Sequence, residues 1–155
     1  MIKDCMKLNV VSIPESATIL SAAMLMVKRH VGILPVVNAQ KKLVGTITIQ
    51  NLLSLEVPAI IALIDDLDFL NGLGAIETTR PTFREVSRPV TELLEPLIFV
   101  NEDSGLLYAY SLMIKHNLSD LPVVSDDMTL VGIVSRVDIG VKVLSSWDQI
   151  QEITQ

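Results

Sequence analysis

The chain has a single cysteine, Cys5, and only two histidines, so several kinds of site lack the residues they need. One cysteine cannot form an internal disulfide bond, and without a Cys or His cluster around it the residue does not indicate zinc binding. No set of nucleophile, base and orienting residue is recognisable either. We therefore expect a non-catalytic protein that requires no cofactor or metal. The lone thiol fits a reducing compartment, and the expected location is cytoplasmic.

Long apolar runs are also missing, although 50% of the residues are hydrophobic. The longest run near the middle of the chain, residues 57–64, contains Pro58 and is far shorter than the roughly 20 apolar residues of a membrane-spanning helix. Lys3 and Asp4 come early, and no long apolar block follows them, so no secretory signal is visible. We expect a soluble chain with no membrane partner.

Positive charge is scarce, since 12 Lys and Arg residues stand against 18 Asp and Glu residues and give a net charge of −6. Proteins that bind nucleic acid hold its phosphates through a broad positive field. The composition therefore predicts no nucleic-acid partner.

Two segments of the chain, offset from each other by 87 positions, are closely similar. Residues 13–52 align with residues 100–139 without gaps, and 13 of the 40 aligned pairs are identical. The agreement is strongest at Leu-Pro-Val-Val and at Leu-Val-Gly, which both occur in each copy. Two copies are too few for a solenoid. We expect instead a pseudo-twofold pair in which each unit covers an apolar face of the other.

Each copy begins with the same two predicted elements. A short extended piece at residues 10–13 or 97–100 is followed by a helix at about residues 18–30 or 106–117. Apolar residues recur in these helices at the spacing that places them on one face. The first helix is apolar on more sides than one core-facing stripe requires, which predicts a homodimer.

The second half of each copy predicts two strands and a helix. Pro35 and Pro122 are expected to start a strand, where a missing N–H is tolerated. A polar hairpin and a second β-branched strand follow, and a second helix is expected to open at Asn51 or Asp138. The strands are predicted at residues 36–37 and 44–49, and at 123–124 and 131–134. The predicted order is β-α-β-β-α, twice, and the predicted class is α+β.

This pattern resembles the CBS domain pair. Both copies contain an apolar residue before Pro-Val-Val, a polar turn, Leu-Val-Gly, and a Ser or Thr three residues before Asp or Asn. The resemblance covers about residues 8–54 and 95–144. It implies two repeats around a pseudo-twofold axis in a regulatory module. Such pairs usually dimerise and bind adenosyl ligands in clefts between the repeats.

The resemblance also implies ligand-binding residues in the second copy. Asp138 matches a carboxylate that accepts hydrogen bonds from both ribose hydroxyls, and Ser135 matches a hydroxyl that meets the phosphates. Arg136 adds a positive charge within the motif. Spacing alone favours a structural role, in which Asp138 caps the following helix and Ser135 ends a strand, and the resemblance makes ligand contact as strong a prediction. Both roles can hold at once.

In the first copy, Thr48 matches the phosphate position, but Asn51 replaces the carboxylate and Ile49 stands where the second copy has Arg136. We therefore expect this site to be vacant or weaker. Related pairs that hold phosphates often carry basic residues just before the Leu-Pro-Val-Val strand, whereas Asp120 would repel a phosphate. The predicted ligand-binding set is completed by Ser12, Asp120, Leu121 and Pro122.

The predicted function is a regulatory module that senses an adenosyl ligand, with AMP, ADP, ATP and S-adenosylmethionine as candidates and polyphosphates disfavoured. The alternative is a dimerisation or scaffold module with no bound nucleotide. The output protein is expected to be a separate chain, which the sequence does not identify.

The chain is divided into a first repeat at residues 1–56, a mostly ordered connecting segment at 57–94, a second repeat at 95–146 and a helical tail at 147–155. An acidic cluster in the connecting segment, at Asp65, Asp66 and Asp68, is interpreted as a solvated helix end, since it lacks the spacing of a calcium loop. In the tail, Trp147, Ile150 and Ile153 at helical spacing predict that the last helix continues.

Overall fold

The computed structural model describes residues 1–56, 68 and 80–152 and contains two three-stranded sheets, one for each repeat. The first repeat consists of β1 (Ile13–Pro14), α1 (Ile19–Arg29), β2 (Ile33–Val37), β3 (Leu43–Thr48) and α2 (Ile49–Leu53). A short helix, α3 (Phe83–Val86), and a 3-10 turn (Val90–Leu93) lead to the second repeat. That repeat consists of β4 (Val100–Asn101), α4 (Leu106–His116), β5 (Asp120–Val124), β6 (Leu130–Ser135) and α5 (Arg136–Leu144).

The two sheets have the same topology and the same register. In each, the first strand is parallel to the second, and the second is antiparallel to the third. Val36 lies opposite Gly45 in the first sheet, and Val123 lies opposite Gly132 in the second. Both sheets shift register one residue later, at the same aligned position. The predicted α+β class and the repeated β-α-β-β-α order are therefore confirmed.

The first helix of each repeat has bounds close to those predicted. Thr18 caps α1, because its hydroxyl oxygen accepts a hydrogen bond from the backbone N–H of Ser21 at 3.1 Å. His30 and Asn117 end α1 and α4 in the left-handed conformation, each with φ of 52°. This is a common way to terminate a helix.

Each repeat encloses its own core, but the segment that leads into one repeat completes the core of the other. Ile2 is fully buried in the core of the second repeat, and Val90 is fully buried in the core of the first. The backbone of Lys7 bridges to Ile133 in β6, and that of Glu95 bridges to Thr46 in β3. This exchange of leading segments ties the two repeats together, and we did not predict it.

The strands β2 and β5 begin earlier than predicted, so Pro35 and Pro122 lie inside them rather than at their start. The error has a physical reason at Pro35. The strand β1 pairs with β2 only at Val36 and Val37, so Pro35 has a strand beside it on one edge alone. A residue without an N–H is tolerated at such a position.

The tail does not continue the last helix, so that prediction is wrong. The helix α5 ends at Leu144, and a separate 3-10 turn follows at Trp147–Gln149. The hydroxyls of Ser145 and Ser146 donate to the carbonyls of Lys142 and Val143 at 2.8 and 2.7 Å, and such local bonds compete with helix propagation. Asp65 and Asp66 of the predicted acidic cluster, most of the connecting segment, and Ile153 lie outside the described residues.

Candidate ligand cleft

A cleft of about 320 Å³ lies between the two repeats. The first repeat contributes the start of β2 and the turn from β3 into α2. The second contributes the end of α4, the start of β5 and Glu95. The cleft is lined by Gly32, Ile33, Thr48, Ile49, Gln50, Glu95, His116, Asn117, Leu118, Ser119 and Asp120. Its volume falls at the lower end of the range for small-molecule sites.

The first-copy motif borders this cleft through a helix cap. The N-cap of α2 is Thr48, and Asn51 is its third residue, not its first as predicted. The side-chain oxygen of Asn51 accepts hydrogen bonds from the backbone N–H and the hydroxyl of Thr48, at 2.7 and 2.8 Å. Its amide nitrogen donates to Glu95 Oε1 at 2.5 Å. Asn51 therefore positions the carboxylate of Glu95 beside the cleft.

Glu95 was not predicted to be a site residue, although a difference between the two copies indicates it. The aligned position in the first copy, 87 residues earlier, is Leu8, so only one of the two repeats has a carboxylate at this position. The copy that lacks the motif carboxylate, having Asn51, is the copy whose β3 strand bridges to Glu95.

The second-copy motif is built as the same kind of cap but does not line the cleft. Ser135 is the N-cap of α5 and Asp138 its third residue, so the interpretation of Asp138 as the N-cap is wrong. Asp138 Oδ2 accepts from the backbone N–H of Ser135 at 2.8 Å, and Ser135 Oγ accepts from that of Asp138 at 3.0 Å. Ser135 has the extended backbone that a cap requires, and the pair forms a capping box. Asp138 Oδ1 lies 3.5 Å from Lys7 Nζ.

Arg136 is not among the residues that line the cleft. Its Nε donates to the carbonyl of Leu118 at 2.8 Å, and its Nη2 donates to the carbonyl of Met113 at 3.3 Å. A cation that bonds these carbonyls stabilises the C-terminal end of α4. The positive charge of Arg136, which the motif predicted to face a ligand, thus interacts with the C-terminal end of α4.

The remaining predicted site residues divide between the cleft and the core. Asp120 lines the cleft and accepts a hydrogen bond from Ser119 Oγ at 2.8 Å. Leu121 is fully buried in the second core, and Pro122 pairs with Ile133 within the sheet. Ser12 lies half-buried just before β1. Of the predicted set, Thr48 and Asp120 line the cleft directly, and Asn51 reaches it through Glu95.

Cys5 lies near the second-copy motif. Partial burial raises the pKa of its thiol, and the negative charge of Asp138 raises it further. The neutral thiol is the less reactive form.

Within the described part of the chain, no group of three or more His, Cys, Asp or Glu side chains is arranged to hold a metal ion.

Two equivalent apolar grooves lie on the helical side of the repeats. One runs between α1 and α2, with a volume of about 540 Å³, and the other between α4 and α5, with about 620 Å³. Val27 in the first groove is 74% exposed and Leu107 in the second is 79% exposed.

Among the described residues, no helix is long and apolar enough to cross a bilayer.

The model of the CBS domain family matches the chain at residues 2–57 and 86–140. The CBS domain-containing protein YhcV of Bacillus subtilis (strain 168) is 32% identical over 146 residues, which cover 94% of this chain and 86% of that protein. The homoserine O-acetyltransferase of Methanosarcina acetivorans is 28% identical over 139 residues. That match covers 90% of this chain but 21% of the enzyme, so it concerns one part of a longer protein.

Solved structures of CBS domain pairs share the fold. The structure of CBSX2 in complex with AMP superposes with a TM-score of 0.68 and 23% identity, covering 93% of this chain and 96% of that one. The CBS domain pair of protein MJ0100, in complex with 5′-methylthioadenosine and S-adenosyl-L-methionine, superposes with a TM-score of 0.64 and 23% identity. That superposition covers 94% of this chain and 96% of the other.

Proposed function

Because the chain belongs to the CBS domain family, we propose that it is a non-catalytic regulatory module that binds an adenosyl ligand in the cleft between its repeats. The observation that carries the proposal is the shape of the cleft, which both repeats line. A ligand held there contacts both units, so binding favours whichever arrangement of the repeats it fits best. Such a coupling lets a module signal without catalysing a reaction.

The candidate ligands are AMP, ADP, ATP and S-adenosylmethionine. Support comes from the solved CBS domain pairs that contain AMP, or 5′-methylthioadenosine and S-adenosyl-L-methionine. We assign the main site to the cleft beside Thr48, Glu95 and Asp120. The second-copy motif of Ser135, Arg136 and Asp138 is proposed as a weaker site, because Lys7 already lies beside the carboxylate there. This reverses the order of the two sites that the motifs alone suggested.

Thermal unfolding of the full chain with each of the four ligands tests the proposal. A ligand at 100 times its dissociation constant stabilises the folded state by about 2.7 kcal/mol, which is readily measured in a chain of this size. UMP and ribose 5-phosphate serve as controls that lack the adenine ring. We expect stabilisation by at least one adenosyl ligand and by neither control. If none of the four ligands raises the melting temperature at millimolar concentration, the proposal is wrong.

The second candidate function is a dimerisation or scaffold module that binds no nucleotide. The two apolar grooves favour an assembly role, since large exposed apolar patches usually mark interaction sites. In either case we propose a homodimer in the cytoplasm that acts on an output protein, with no nucleic-acid partner. The two candidates differ in whether adenosyl ligands bind.

Sedimentation of the chain with Val27→Asp and Leu107→Asp together tests the dimer. Each change places a charge in one groove, and we expect the dimer to dissociate. The matched control is Phe83→Asp, because Phe83 is similarly exposed, at 76%, but lies in α3 outside both grooves. A wild-type monomer at micromolar concentration would exclude the dimer.

A further inference from the structure

We infer that the cleft between the repeats selects an adenosyl ligand that carries positive charge, and that Glu95 and Asp120 are its specificity-determining residues. The inference rests on the proposed function, because it names the ligand class of the same cleft. Two features carry it: two positioned carboxylates in the lining, and the lack of any lysine or arginine among the described lining residues.

Both carboxylates line the cleft and are held in place, Glu95 by residues of the first repeat and Asp120 by a neighbour in the second. The backbone N–H of Glu95 donates to the carbonyl of Thr46 at 2.9 Å, and its carboxylate accepts from the amide of Asn51. Asp120 is the first residue of β5 and accepts a hydrogen bond from Ser119. Charges that are already positioned do not have to be ordered when the ligand binds.

No lysine or arginine is among the residues that line the described cleft. Arg136, the motif residue that the sequence suggested for this role, bonds to carbonyls at the end of α4 instead. Lys7 lies beside Asp138 in the second-copy motif. The two carboxylates are therefore not neutralised by a cation within the lining.

The end of α4 borders the cleft but does not change this balance. Its last residue, His116, and its C-cap, Asn117, both line the cleft. The partial negative charge of that helix end is already met by the guanidinium of Arg136. His116 is the remaining titratable side chain in the described lining. Even when protonated, one imidazolium cannot outweigh two carboxylates.

These charges separate the candidate ligands by class. A phosphate monoester such as that of AMP carries roughly 1.5 to 2 negative charges at pH 7, and ATP carries more. S-adenosylmethionine has a sulfonium and an ammonium group against one carboxylate, so its net charge is positive. S-adenosylhomocysteine lacks the sulfonium methyl group and its charge but keeps every other group. Comparing these two ligands isolates the effect of the positive charge.

Titration calorimetry of the full chain at low salt provides the test, with S-adenosylmethionine, S-adenosylhomocysteine, AMP and ATP as probes. We expect S-adenosylmethionine to bind at least about tenfold more tightly than S-adenosylhomocysteine, which corresponds to ~1.4 kcal/mol. AMP and then ATP should bind more weakly still. The preference for S-adenosylmethionine should shrink as salt is added, because salt screens the carboxylates.

Isosteric variants test whether Glu95 and Asp120 cause the preference for S-adenosylmethionine. Glu95→Gln keeps an oxygen that can accept from Asn51, and Asp120→Asn keeps the size of the side chain. Each should lower the preference for S-adenosylmethionine over S-adenosylhomocysteine, and the two together should bring it close to one. Asp126→Asn is the matched control, since Asp126 is an exposed carboxylate outside the cleft and should leave the preference unchanged.

The outcomes separate this inference from the proposed function. Equal affinity of the wild type for the two sulfur ligands, or tighter binding of AMP, overturns the inference while adenosyl binding stands. The inference is also overturned if the variant with both Glu95→Gln and Asp120→Asn keeps the preference for S-adenosylmethionine while its melting temperature is unchanged. If none of the four ligands binds the wild type, the proposed function itself fails, and the inference fails with it.

Discussion

The exchanged leading segments predict that two equivalent glycines differ sharply in their tolerance of alanine. Gly45 and Gly132 occupy the same aligned position in β3 and β6. A Cβ atom on Gly132 would lie 2.9 Å from the backbone oxygen of Lys7 and 2.9 Å from the sulfur of Met6. A Cβ atom on Gly45 would meet only the flexible end of Leu94, at 3.2 and 3.3 Å, before any backbone atom. Leu94 can move aside, whereas the backbone of Lys7 cannot move without leaving β6.

The cost of Gly132→Ala follows from the contacts that this movement breaks. The backbone of Lys7 exchanges two hydrogen bonds with Ile133, at 2.8 and 3.0 Å. Each such bond contributes about 1 kcal/mol net. Replacing glycine by alanine within a strand returns about 0.5 kcal/mol or more. The expected loss is therefore about 1.5 kcal/mol, and it rises to about 3.5 kcal/mol if Ile2 also leaves the core, since burying that side chain contributes roughly 2 kcal/mol.

Denaturant unfolding of the two single variants measures this difference. Gly132→Ala should lower the free energy of unfolding by about 1.5–3.5 kcal/mol, and Gly45→Ala should change it by less than about 1 kcal/mol. Comparable effects in the two variants, or a larger effect for Gly45→Ala, would refute the assignment of the first segment to the second repeat.

Three further predictions concern single side chains. Asp127 accepts a hydrogen bond from Lys42 at 2.7 Å, which holds the pKa of its carboxyl well below the ordinary value for aspartate. Its contribution to stability is thus present above about pH 4 and lost as the pH falls further, so wild type and Asp127→Asn should converge in stability in acid unfolding. Asp138→Ala removes the capping box of α5 and should cost about 1 kcal/mol, read from the melting temperature, while calorimetry shows binding in the cleft retained. The raised pKa of Cys5 predicts alkylation by iodoacetamide at neutral pH more slowly than in an unfolded peptide, and equal rates would contradict it.

The two cap motifs show which features the local sequence predicts and which it does not. Ser or Thr followed three residues later by Asp or Asn is a local pattern, and it correctly indicates that a helix starts at that point in both copies. The side chain that each cap meets on its outer side is not local. Asn51 bonds to Glu95, 44 residues away, and Asp138 lies beside Lys7. The first-copy cap borders the cleft together with Glu95, whereas the second-copy cap lies beside Lys7.

The sequence by itself determined the two repeats, the order of elements within them and the α+β class. These properties depend on spacing within about 20 residues: apolar residues at helical and strand periods, polar turns, and caps. Only the tertiary structure decided that the leading segments are exchanged, that Glu95 supplies a carboxylate to the first-copy motif, and that Lys7 lies beside Asp138. Each of these is a contact between segments that are distant in the chain. Such contacts depend on how the two repeats pack, and the local periodicity of the sequence does not encode them.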